Sequence, residues 1–309
     1  MEGALAHAQA ASDGRISSTD GTASGARAVG DSPLLVPAAS RQESPLLVPA
    51  ASPQVTVVHA DERAHERTLR VRGFPLGLMN GLRRIVMAEV PCFAFHDVVE
   101  QENTGALQTE RVRDRLALVP VAVPGVDMLE AERLYRQGDG AARKKLALRF
   151  VLRDKCLVQA DCSPGCTFRQ TVAASLQWMP RTAGESTRAP ALRPRPVHPG
   201  MPVTNLPLGT RLCLYVLCIP GTGALHSKWS PVCPCTCVTV RPQATCAPDS
   251  DLSTEADGAG TEDAEDAEDE GILFALETTG AITPAETLNY GVRVFQQKID
   301  ALLAAFGGP

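Results

Sequence analysis

Residues 283–308 read TPAETLNYGVRVFQQKIDALLAAFGG, and this stretch decides the fold. Thr283 stands where a helix N-cap belongs, and Pro284 occupies the first helical position, where a missing N–H costs nothing. Glu286, three residues after Thr283, completes a capping box. Leu288, Val292, Phe295, Ile299, Leu302 and Phe306 then recur at spacings of 4, 3, 4, 3 and 4, with Gln296, Gln297, Lys298 and Asp300 off that line. A seam this narrow wants another helix beside it. The clearest candidate within the chain is residues 78–89, where Leu78, Leu82, Ile85 and Val86 share a face and Asn80, Arg83 and Arg84 fall largely outside it. Pro91 stops that helix, which is too short to cover the whole seam. Periodicity alone leaves two readings open: the terminal helix caps its own sheet, or it meets a helix of another chain.

Working outward, residues 55–58 and 69–72 read as strands joined by the polar stretch 61–67, and 73–75 break the chain. Further strands are expected at 93–100, 146–152, 212–219, 233–240 and 272–276, a short helix at 109–118 and a loop at 181–202. The mixture makes this an α+β protein. Residues 1–53, rich in Ala, Ser and Gly, read as a disordered tail that carries SPLLVPAAS twice. Residues 249–271 hold eleven acids and no Lys or Arg, and read as a disordered acidic insert. With those acids set aside, the formal charge of −5 becomes +6, far from the dense basic face of a primary nucleic-acid binder.

Ten cysteines without a recognisable signal peptide suggest free thiols in a reducing compartment. No run of about 18 apolar residues suggests a membrane span. Catalysis has little to stand on. G-x-S-x-G is absent, and Gly221-Thr222-Gly223 lacks the rest of a phosphate loop. No two histidines are four apart, and acids in a disordered run cannot be held at a fixed separation. Cys156, Cys162 and Cys166 offer three thiols with no clear fourth ligand. Cys233, Cys235 and Cys237 alternate on an expected strand and read as small buried residues.

Four segments in order resemble the alpha-like subunits of DNA-directed RNA polymerases. PLGLMNGLRRIVMAEVP, with Asn80, Leu82, Arg83, Arg84, Ala88, Glu89 and Pro91, is similar to the family's first helix. VVEQENTGALQTERVRDRLALVPV, with Asn103, Thr104, Glu110, Arg115, Leu116, Leu118 and Pro120, is similar to its next signature. HSKWSPV at 226–232 resembles the eukaryotic and archaeal members, and FALETTGAITPAETLNYGVRVFQQKIDALL resembles the last strand and helix. The third subunit of RNA polymerase II, the shared subunit of polymerases I and III and viral equivalents all belong to this group.

The resemblance implies a discontinuous dimerisation domain, a mixed sheet with two helices, from residues 54–91 and 233–309, with a mostly-β domain inserted at 92–232. It implies a non-catalytic scaffold without cofactor that pairs with a smaller alpha-like subunit through Leu78, Leu82, Ile85, Val86, Leu288, Val292, Phe295, Ile299, Leu302 and Phe306. Asn80, Arg83, Arg84, Glu89, Arg115, His226, Lys228 and Trp229 would meet the two large catalytic subunits, with small assembly subunits nearby and DNA touched only indirectly. The location would be the nucleus, or a virion or viral factory. The four-cysteine zinc loop of many members is missing, since residues 122–145 contain no Cys or His, so no metal is expected there. Two other readings stand beside this one: a stand-alone metal- or thiol-binding protein, and an interaction module using its acidic run.

Overall fold

The structure, a computed structural model, describes residues 52–240 and 271–306. The expectations for the tail and the acidic insert therefore fall almost wholly outside the described residues. In chain order the elements begin with β1 (Gln54–Asp61), β2 (Glu66–Arg72), α1 (Leu76–Ala88), β3 (Pro91–Asn103), α2 (Thr109–Ala117) and β4 (Val121–Ala122). Next come α3 (Met128–Gln137), α4 (Gly140–Leu146), β5 (Leu148–Cys156), β6 (Phe168–Val172), β7 (Leu176–Trp178) and α5 (Ala183–Ser186). The chain continues through β8 (Arg195–Pro196), β9 (Pro202–Pro207), β10 (Thr210–Thr222), β11 (Val232–Val240), β12 (Gly271–Thr278) and α6 (Pro284–Phe306).

One four-stranded sheet runs β1-β2-β12-β11 and a second runs β3-β10-β5-β7. The first joins the two ends of the chain, because β12 pairs with β2 and places Ile272 opposite Val71 and Phe274 opposite Leu69. Its pairings are antiparallel throughout, a correction to the expected mixed sheet. The physical reason is local: β1 and β2 form a hairpin, and β11 and β12 are antiparallel neighbours, so no crossover between parallel strands is needed.

Two apolar clusters form. The smaller, with Val71, Met79, Val86, Val232, Cys235, Ile272, Phe274 and Leu276, lies between the first sheet and α1. Every second residue of β12 faces it, which is the period-2 pattern of a strand with one side buried. The larger is built on β3, β5 and β10 around Phe95, Phe150, Leu152 and Leu214. Phe95 and Phe150 meet edge to face with ring centroids 5.1 Å apart. Ile282, just before the C-terminal helix, and Tyr290, within it, also join the larger cluster.

Candidate functional site

The two helices named from the sequence meet over the first sheet. A Cβ added to Gly291 would fall 2.7 Å from Val86 Cγ2 and 3.3 Å from Leu82 Cδ1, so α1 and α6 approach closely because this residue has no side chain. One at Gly81 would lie 3.4 Å from Phe295 Cε2. Val86 and Ile85 are 0% and 5% exposed, which corrects their expected place on a partner-facing surface: burial within the chain withdraws them. Leu78, Leu82, Leu288 and Phe295 are half-buried.

The rest of the seam is bare. The buried residues of α6 are Pro284, Thr287, Gly291 and Val294, a face rotated off the heptad line. Val292 is 55% exposed, Ile299 38%, Leu302 57% and Phe306 84%, and Leu303, off the heptad line, is 64% exposed beside them. The cap reads as the sequence implies: Glu286 N–H donates to Thr283 Oγ1 at 3.3 Å, and Thr283 N–H donates to Glu286 Oε2 at 3.2 Å.

Arg83 donates to Asn80 Oδ1 at 2.9 Å and to Met87 Sδ at 3.3 Å, so this pair is partly occupied on its own helix, while Arg84 is exposed. Glu89 forms an ion pair with Lys298 at 2.6 Å, tying the end of α1 to α6. Arg115 donates to the Val203 carbonyl at 3.1 Å and anchors α2 to β9. Asn103 and Thr104 shape the turn before α2, with Asn103 Nδ2 donating to Leu107 O and Thr109 Oγ1.

The His226–Trp229 segment is a 3₁₀ turn folded back on β3 and β10. Trp229 is 6% exposed, and its indole N–H donates to Ile219 O at 3.1 Å. A large-subunit contact through this ring is therefore corrected: the residue is a core anchor, and Gly221 is kept bare because a Cβ there would come within 2.6 Å of the indole. Lys228 Nζ lies 4.4 Å over the Trp229 ring, donates to Phe95 O at 3.1 Å and sits 2.7 Å from His96 Nδ1. Burial, then the nearby Lys228 ammonium, holds the His96 imidazole below its ordinary pKa, and burial lowers that of Lys228.

All nine described cysteines are free thiols. Cys156 and Cys162 lie with sulfurs 3.1 Å apart, and among the described residues no group of three or more Cys, His, Asp or Glu is placed to hold a metal ion. Cys235 is buried and its thiol is pushed up to about 11, mainly by burial, but Cys233 is exposed because the register slips between Val232 and Cys235. The three thiols thus do not share the one face that plain alternation predicts. Among the described residues no helix is long and apolar enough to cross a membrane.

Sequence reasoning missed α3, although Asp127 followed by Glu130 is a usable cap signal: Asp127 accepts from Leu129 N and Glu130 N at 3.0 and 3.2 Å. Asp127 also pairs with Arg293 at 2.9 Å, and Met128 N–H donates to Tyr290 Oη at 3.4 Å, so α3 is fastened to α6. That link joins residues more than 160 apart in sequence and has no local signature.

The model of the RNA polymerase Rpb3/Rpb11 dimerisation domain matches residues 68–299, from within β2 to within α6 and well over half the chain. This chain belongs to that family of alpha-like polymerase subunits. Its match takes in all of α1 and β12 and most of β2 and α6. Among relatives, the chain is 29% identical over 189 residues to the human protein named DNA-directed RNA polymerases I and III subunit RPAC1, covering 58% of this chain and 52% of that one. It is 30% identical over 163 residues to DNA-directed RNA polymerase subunit Rpo3 of Aeropyrum pernix, covering 53% and 51%. With the Methanocaldococcus jannaschii Rpo3 it is 25% identical over 229 residues, covering 74% and 84%. The chain spans about half the length of the first relatives it matches.

Proposed function

We propose that this Rpb3/Rpb11-family chain is a non-catalytic assembly subunit of a multisubunit DNA-directed RNA polymerase. It pairs with a smaller alpha-like subunit, and the pair seeds assembly of the two large catalytic subunits with small assembly subunits, while DNA is touched only indirectly. The observation that carries this reading is the bare apolar ridge of α6, where Ile299, Leu302, Leu303 and Phe306 stay exposed beyond the reach of the shorter α1. An isolated large apolar patch of this kind marks an interaction site. The family's description as a dimerisation domain and relatives named as polymerase subunits support it.

In this proposal residues 54–91 and 233–309 act as the dimerisation domain and 92–232 as an insert; the smaller apolar cluster falls almost wholly in the former, while Val90, Ile282 and Tyr290 tie it to the larger cluster. The partner meets Leu78 and Leu82 on α1 and Val292, Ile299, Leu302 and Phe306 on α6, with Leu288 and Phe295 behind them. Asn80, Arg83, Arg84, Glu89, Arg115, His226 and Lys228 remain as contacts to the large subunits, Arg84 being the most open of the helix pair. The site of action is the nucleus, or a viral factory if the chain is virus-encoded.

Co-expression with the smaller alpha-like subunit of the same source, followed by size-exclusion chromatography, tests the reading. The native chain should elute as a heterodimer. Ile299→Asp and Leu302→Asp place a carboxylate on the ridge, so each should release the partner while leaving the melting temperature of the chain alone unchanged. A heterodimer that survives both substitutions, or never forms, overturns the proposal.

A further inference from the structure

Among the described residues, the first sheet is not fully roofed by helices. On its inner face α1 packs on β11, and α6 packs on β12 and β2. Strands lie about 4.8 Å apart and packed helices about 8–10 Å apart, so two helices can in principle shelter four strands. Here α1 and α6 approach closely at Gly291 and Gly81, and among the described residues no helix packs on the edge strand β1, which stays exposed.

The register fixes which residues this leaves bare. Val55 pairs with Val71, and Val57 pairs with Leu69. Directly paired residues of neighbouring strands point to the same face. Val71 is 2% exposed and belongs to the smaller cluster, and Leu69 packs against it. Val55 and Val57 therefore stand on the roofed face, yet they are 58% and 49% exposed. Thr56, paired with Arg70, stands on the opposite face. An edge strand with two bare valines on its inner side is a liability that native proteins normally cover.

We infer that the partner's docking surface extends from the α6 ridge onto the inner face of β1, where Val55 and Val57 receive an apolar helix face of the smaller alpha-like subunit. This rests on the heterodimer reading above. The occupant is a helix, because helices make up the layer over this sheet, α1 on β11 and α6 on β12 and β2, and β1 is the strand next to β2. It belongs to that same partner, because β1 lies beside β2, the strand under the helix whose ridge is also bare. Val55 and Val57 then close the sheet's apolar face, and residues outside the helices contribute to partner choice.

The full chain is co-expressed with the smaller alpha-like subunit of the same source, and affinity is read by dissociation on dilution. Val55→Asp with Val57→Asp should weaken the pair about tenfold or more, as charge at a desolvated contact does. Val55→Thr with Val57→Thr keeps the β-branch and hence the strand, and should weaken it by a smaller factor with no change in the melting of the chain alone. Thr56→Asp, on the outer face, should change nothing. Native-like affinity in both valine pairs while Ile299→Asp still releases the partner would overturn the inference and leave the heterodimer intact. Loss in neither set would remove both. A chain that self-associates alone and loses this on the valine changes would make a second copy the occupant and overturn the committed partner.

Discussion

Gly291 and Trp229 show how much a single position carries in this fold. A valine at Gly291 would drive methyl groups into Val86 and Leu82, since even the first added carbon falls 2.7 Å from Val86 Cγ2. Gly291→Val should lower stability by about 1–3 kcal/mol, the usual cost of overpacking, read as a drop in the denaturation midpoint with little change in slope. Trp229→Ala removes a ring that is 6% exposed and frees the Ile219 carbonyl. The expected loss is about 3–5 kcal/mol by the same measurement. Lys228, Asp97, Arg113 and His226 all act on His96, and burial is the largest influence, so the neutral imidazole is favoured in the fold. Unfolded chains then take up the proton at a higher pH than folded ones. The His96 contribution is complete above the ordinary value of 6.5 and is lost as pH falls from there toward its lower folded value. Melting followed between pH 7.5 and 5 should therefore decline less steeply in His96→Gln, where the titrating ring is gone and the amide oxygen can still accept from Lys228.

At the scale of elements, α6 was the most legible part of the sequence because its signals are local. The capping box is made within four residues. Thr283→Ala should cost about 1 kcal/mol of stability, seen as earlier thermal unfolding, since it leaves the Glu286 amide without its side-chain acceptor. Strands β3 and β5 were legible from alternation and β10, β11 and β12 from their apolar runs, although β3 and β10 run to 13 residues, longer than the apolar pattern marks. Their ends are held by pairing with each other, which periodicity does not report. Helices α3 and α4 were missed: α4 has no buried residue, so it lacks the apolar stripe on which the reading relied.

For the whole molecule, the pairing of β11 with β12 sets a limit on what the acidic run does. Val240 lies directly opposite Gly271, so the two strand ends are already neighbours. A two-residue Asn-Gly turn suits such a hairpin. Replacing residues 241–270 with that turn should keep the melting temperature and the heterodimer. Loss of partner binding on deletion would instead favour an interaction module built on the acids. The joining of chain ends through β2 and β12, and of α3 to α6 through Asp127 and Arg293, are long-range decisions of the same kind.

What the sequence determined by itself was the period of the main apolar faces, the cap of α6, the breaks that bound α1, and the family signatures, because these depend on residues within a few positions of one another. Tertiary structure alone decided which apolar residues are used at home and which are spared. Val86 is buried against α6 while Val292 and Leu302 stay bare. A seam has the same spacing in either case, and the close approach at Gly291 selects the side that is buried.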